Sequence, residues 1–128
     1  MKVITQSYAM KAKPSEVFAA LTDPQVIQKW SGAPAQMDAK VGTKFALFGG
    51  QIHGTNLEAV PNQKLVQAWT AGDWEKPSTV TFTLVPTPEG TNVELQHTGV
   101  PDDAQAHISE GWDTNYLGKM RTMFADRA

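Results

Sequence analysis

Apolar and polar positions repeat with two different periods along this chain, and the switches between them divide it into elements. Residues 3–11 alternate with period two, with Ile4, Tyr8 and Met10 on one face, and predict a strand. Pro14 suits the first position of a helix, where its missing N–H costs nothing, and Val17, Phe18 and Leu21 give that helix one apolar stripe. Thr22-Asp23-Pro24 predicts a second short helix capped by Asp23, with Val26, Ile27 and Trp30 facing inward. Residues 31–35 have the small residues and proline of a loop. From Met37 to Gly99 the chain reads as strands and turns. Gly49-Gly50 is expected to be a hairpin turn, Pro61-Asn62 marks another turn, and residues 79–85 alternate most cleanly, with Val80, Phe82 and Leu84 opposite Thr79, Thr81 and Thr83. Val93, Leu95 and His97 then share a face opposite Asn92, Glu94 and Gln96. The last segment turns helical, with Asp102 and Gln105 as a capping box and Ile108, Trp112, Tyr116, Met120 and Phe124 at every fourth position. An apolar face that long can be buried only against the concave side of the sheet. The order is a strand, two short helices, about six strands and a long helix.

Length and charge narrow the picture. With 128 residues there is room for one core, so residues 1–128 are expected to form a single α+β domain. No cysteine is present, which excludes disulfides and thiolate metal sites. The N-terminus lacks the apolar run of a signal peptide, and no stretch approaches the ~20 apolar residues of a membrane span. A cytoplasmic location without membrane insertion is therefore expected. The 11 basic and 13 acidic residues are spread along the chain, and only Arg121 and Arg127 are arginines. Without a basic cluster, nucleic acid is not an expected partner.

Several short motifs carry a family resemblance in their order and spacing: PSEVFAALTDPQVIQKW (14–30), the APA of residues 33–35, GTKFALFGGQIHG (42–54), LVQAW (65–69), and HTGVP followed by EGW at Glu110 to Trp112. Together they resemble the C-terminal domain of the activator of heat-shock protein 90 ATPase, a member of the START-like (SRPBCC) superfamily. The resemblance covers essentially the whole chain. It implies a helix-grip fold, a curved antiparallel sheet of six to seven strands around the long C-terminal helix. It also implies a cavity between sheet and helix, since similar folds bind lipids, hormones or polyketides there. The full-length activators carry a separate N-terminal domain. This chain opens on the first strand of the C-terminal type, so strong stimulation of a chaperone ATPase by it alone is not expected.

The residues suggest binding more than catalysis. No Gly-x-Ser-x-Gly elbow and no glycine-rich phosphate loop occurs. Glu94 and His97 stand three apart on a strand and so on opposite faces, and His107 with Glu110 reads as a solvated helix pair. No metal site or cofactor is expected. The expected cavity residues are Trp30, Phe45, Trp69, Phe82, His97, Trp112, Tyr116 and Met120, with Gly111 leaving space beside them and Phe48 in the same aromatic set. The facing strands are expected to contribute large and small side chains, Phe45, Ala46, Gly54, Ala68 and Phe82, which leave uneven space. Each of these also has a plain reading as core: His97 either faces a ligand or is satisfied by backbone or water. Trp74 is either an exposed interface anchor or a loop residue folded over the end of the core. The leading expectation is a non-catalytic domain that binds a small apolar molecule. The alternative is a chaperone cofactor that works through its outer surface. A cyclase- or hydratase-type enzyme is the weaker alternative, because such sites use scattered polar residues.

Overall fold

The computed structural model describes residues 2–72 and 74–126; Asp73 of the 72–78 loop and Arg127 lie outside the described residues. Strand β1 (Lys2–Met10) leads into helices α1 (Pro14–Thr22) and α2 (Pro24–Ser31). Strands β2 (Lys44–Leu47), β3 (Ile52–Val60), β4 (Lys64–Ala71), β5 (Ser78–Thr87) and β6 (Gly90–Val100) follow. They form one antiparallel sheet in the order β1-β6-β5-β4-β3-β2. This is the expected α+β helix-grip arrangement. No helix among the described residues is long and apolar enough to cross a membrane.

Local chemistry sets the two short helices. Pro14 and Pro24 occupy their first turns. The Asp23 carboxylate accepts from the Gln25 N–H at 2.9 Å, so one residue ends α1 and caps α2. Gly32 closes α2 at φ 73°, a conformation glycine reaches without a Cβ penalty. Across the sheet the alternation holds. Ile4, Tyr8 and Met10, Val80, Phe82 and Leu84, and Val93, Leu95 and His97 are all buried, and they join Trp112 and Met120 in one region of close packing.

Three details differ from the sequence reading. Leu47 pairs with Ile52, so the β2–β3 connection is not a two-residue Gly-Gly hairpin. It is a tight turn in which Phe48, Gly49 and Gly50 all have positive φ (54°, 68° and 93°). Second, Ala46 and Ala68 do not face the helix, because their neighbours Phe45, Leu47, Gln67 and Trp69 take the inner face. Gly54 leaves no void either, since a Cβ there would fall on the Ala68 backbone and within 3.0 Å of the Phe45 ring. Its glycine lets β3 and β4 close up, so a larger residue would test sheet closure and not a cavity. Third, the chain enters the final helix through a short turn (Asp102–Ala104), and Ala104, which has no side-chain acceptor, stands at the cap in place of the expected Asp102–Gln105 box.

The final helix is the main departure from regular geometry. It runs as α3 (Gln105–Gly111), a π-helical turn (Trp112–Tyr116) and α4 (Leu117–Asp126). Apolar residues spaced strictly by four overshoot an α-helical turn by about 40° per step, at roughly 100° per residue. Such a stripe would wind off the sheet. At the π turn Leu117 N–H bonds back five residues to Trp112 C=O. Trp112, Tyr116, Leu117, Met120 and Phe124 are thereby all buried. Gly118 is part of the same device: a Cβ there would overlap the Asp113 carbonyl.

Candidate functional site

A cleft of about 640 Å³ opens between the first half of the final helix and the β3–β4 end of the sheet. Two sets of residues line it. Trp69, Trp74, Ile52 and Phe48 come from the sheet and its loops, and Ile108, Gly111, Trp112, Asn115, Tyr116 and Lys119 from the helix. Helix α2 ends at Ser31, on the rim, so it flanks α4 but stops short of α3. The cleft is the space that this short helix leaves uncovered. Gly111 deepens it: a Cβ there would meet only Asn115 Nδ2, at 3.8 Å.

Aromatic rings make the floor. Trp69 and Trp112 stack with centroids 5.3 Å apart, and Trp112 lies 4.6 Å from Tyr116. Trp74 is half-buried and tilts over Trp69 at 6.0 Å. It therefore folds over the end of the core and borders the cleft. Phe48 reaches Trp30 and Tyr116 at 6.5 and 6.4 Å. A bulky residue at positive φ is strained, and here the strain coincides with a ring held at the cleft wall.

Of the eight expected cavity residues, Trp69, Trp112 and Tyr116 line the cleft. Trp30, Phe45, Phe82, His97 and Met120 lie behind the wall as core. Trp30 donates its indole N–H to Ala20 C=O at 2.8 Å and backs Tyr116 at 4.8 Å. Phe82 meets Trp112 edge-on at 5.6 Å and stacks on Tyr116 at 6.0 Å. Phe48, named in the aromatic set though not among the eight, lines the cleft as well, while Trp74, Ile52, Asn115 and Lys119 were not placed in the site. Asn115 and Lys119 were legible as the polar positions four and eight residues beyond Gly111. The position of Phe48 at the wall was not, because it depends on the left-handed turn.

His97 is completely buried and fully partnered. Its Nδ1 accepts from Trp112 Nε1–H at 3.1 Å, and its Nε2 meets Ser78 Oγ at 2.7 Å. An indole nitrogen can only donate, so Nδ1 must be the bare nitrogen and Nε2 must carry the proton. Nε2–H then donates to Ser78, whose hydroxyl donates to Trp69 C=O at 2.6 Å. Burial pushes the imidazole down to about 4. The Ser78–His97 pair has the separation of a nucleophile and its base, but its proton runs the wrong way. A nitrogen already protonated cannot take the serine proton, and no carboxylate orients the ring. The pair is a structural brace that fixes Trp112 against Trp69.

A second polar group lies under β3 and β4. Gln67 donates to Asn56 Oδ1 at 2.9 Å, and Asn56 donates to Asp38 C=O at 2.7 Å. Among the described residues, three buried atoms find no hydrogen-bond partner: Gln67 Oε1, Trp69 Nε1 and Tyr116 OH. The last two belong to rings that line the cleft. Burial raises the Tyr116 hydroxyl well above the ordinary tyrosine value, so it stays protonated. On the other side of the helix, Tyr8 donates to Gln6 at 2.6 Å and approaches Asp113 at 3.4 Å. Burial first, then the Asp113 charge, push Tyr8 up to about 12, and Arg121 lies over its ring at 5.1 Å.

An antiparallel sheet gripping one long helix, with the cleft at one end of the grip, defines a START-like domain. Within that class, this chain belongs to the family described as Activator of Hsp90 ATPase homolog 1-like protein, whose model matches residues 11–125. An activator of 90 kDa heat shock protein ATPase homolog from Dictyostelium discoideum is 28% identical over 97% of this chain and 33% of its own length. The homolog 2 protein of Mus musculus is 30% identical over 83% of this chain and 33% of its own. The chain thus spans about a third of the length of these curated relatives. Among solved structures, an HSP90 activator from Plasmodium falciparum superposes with TM-score 0.85 at 30% identity, covering 97% of this chain and 95% of that one. The Aha1 dimer from Colwellia psychrerythraea shares the fold at TM-score 0.82 and 20% identity, with both chains fully covered.

Proposed function

We propose that this chain is a chaperone cofactor domain that binds an Hsp90-class ATPase and modulates its ATP turnover without catalysing a reaction itself. The observation that carries the reading is the likeness to the Plasmodium HSP90 activator, which runs through nearly the whole of both chains at 30% identity. The family assignment supports it, and the direction of the Ser78–His97 proton argues against the one pair that resembles a catalytic dyad. The test combines sedimentation of the chain with a purified Hsp90-class chaperone and a steady-state ATPase assay. Saturable binding with a modest change in turnover is expected. No binding and no change would remove the reading.

A second reading rests on the cleft. Its volume of about 640 Å³ lies within the ~300–1,000 Å³ usual for small-molecule sites, and its walls are chiefly aromatic with a few polar groups. On this reading the domain also holds a medium-sized apolar molecule between the helix and the sheet. Trp69, Trp112 and Tyr116 would touch it, while His97 acts from behind by holding Trp112.

A further inference from the structure

The charge on the cleft wall is one-sided. Among the described residues that line it, Lys119 carries the only fixed charge, His107 is the one histidine, and no carboxylate is present, although acidic residues outnumber basic ones in the chain. Lys119 makes no salt bridge among the described residues, in contrast to Lys64, which pairs with Glu58 at 3.6 Å. The helix carboxylate Asp113 is turned the other way, to Arg121 at 3.5 Å and to Tyr8 on β1. Asn115 stands one turn before Lys119 on the same wall and adds an amide donor. The unsatisfied groups on the lining rings agree in sign. Trp69 Nε1–H can only donate, and the Tyr116 hydroxyl has a proton to give. Both are shielded from water, so a ligand would reach them only by shifting a ring. Without such a shift the cleft pairs a stacked aromatic floor with the Asn115 amide and the Lys119 cation at its edge.

We propose that the cleft takes a planar aromatic molecule bearing an anionic group, with its rings against the half-buried Trp74 and the outer edge of the Trp69–Trp112 stack and its anion toward Lys119 and Asn115. This rests on the second reading above and names the ligand class for it. Trp69 and Trp112 are each only 2% exposed, so a flat ring system stacks with an offset on Trp74 and meets the floor at its edge. An exposed lysine adds a modest, salt-sensitive preference for the anion. The occupant is a small molecule, since a cleft of about 640 Å³ has the volume of a small-molecule site.

The test uses two dyes that share their rings and differ in charge, anilinonaphthalene sulfonate and its neutral parent phenylnaphthylamine. Each is titrated into the full chain and followed by quenching of the native tryptophans, with near-ultraviolet circular dichroism confirming the fold. Both dyes are expected to bind, and Gly111→Leu, which fills open space, should weaken both at least tenfold. Lys119→Gln should weaken the sulfonate about two- to fivefold, leave the neutral dye unchanged, and remove the salt dependence. If Lys119→Gln affects the two dyes equally, the anionic preference is wrong while cleft binding stands. If neither dye binds the folded wild type, or if Gly111→Leu and the milder Gly111→Met both stay folded and change nothing, the cleft is not a ligand site. Dye failure combined with tight binding of a chaperone segment that Gly111→Leu blocks would assign the cleft to a protein partner and overturn the proposal.

Discussion

The two halves of the final helix meet the same sheet but end in different states. The second half, α4, is held on two sides, by β1 and by α2, and its Leu117, Met120 and Phe124 are fully or almost fully buried. The first half, α3, touches β1 but has no helix on its other flank, because α2 ends at Ser31. Its Ile108 is only partly buried and borders the cleft. Stability and the candidate site are therefore separated along one element. The aromatic cluster at the π turn joins them, and His97 braces that cluster from behind. A domain arranged this way can vary one end of the helix without unpicking the other.

Truncations should separate the halves most sharply. Trp112→Ala removes the ring at the junction and leaves His97 Nδ1 without a donor, and should cost about 3–5 kcal/mol. Met120→Ala, in the sealed half, should cost about 2–5 kcal/mol. Ile108→Ala should cost under about 1 kcal/mol, because its side already faces open space. Urea unfolding midpoints measure all three, and an Ile108 variant as costly as Met120→Ala would break the comparison.

Acid should weaken the junction next. The unfolded histidine takes a proton near 6.5, whereas the folded His97 refuses it until about 4. The unfolded state therefore binds more protons between these values. Stability is complete above about 6.5 and falls as the pH drops toward 4, by up to about 3 kcal/mol. His97→Gln should flatten that part of the pH profile relative to wild type, even if it lowers stability throughout. Parallel profiles for the two proteins would show that the histidine does not titrate differently on folding.

The smallest effects should come from two glycines of the same helix and carry opposite signs. Gly118→Ala meets the Asp113 carbonyl, so it should destabilise by about 2 kcal/mol despite alanine's better helix propensity. Gly111→Ala enters open space at helical φ and should stabilise by about 0.4–1 kcal/mol. Thermal melts of the pair decide this, and two changes of the same sign would contradict the assigned roles.

Much of the fold was legible because each element carries its own signal. Asp23-Pro24 states both a stop and a start, and the Thr/Val alternation of residues 79–85 fixes which face is buried. The inward position of His97 follows from the same period of two. The limits of the cavity were less legible. Whether Phe82 or Trp69 meets open space depends on where α2 stops relative to α3, which is a tertiary distance with no local pattern. Phe48 depends on backbone strain at a non-glycine residue. Gly54 and Gly111 look alike in the sequence, yet one closes a strand pair and the other leaves a space, because only the neighbouring backbone distinguishes them.

The π turn also makes the helix divisible by one. With a single residue removed between Trp112 and Tyr116, the buried positions would fall at Trp112, +3, +4, +7 and +11, the spacing of an unbroken α-helix. The segment thus reads as a regular amphipathic helix carrying one supernumerary residue, stored as a loop of backbone beside the cleft. A chain shortened at Asn115 could keep the buried face of Leu117, Met120 and Phe124 while erasing the bulge. Asp113 would then no longer press on Gly118, and that position would be free to carry a side chain. The length of this one turn, together with the core residues behind it, sets where the rings of the cleft wall stand.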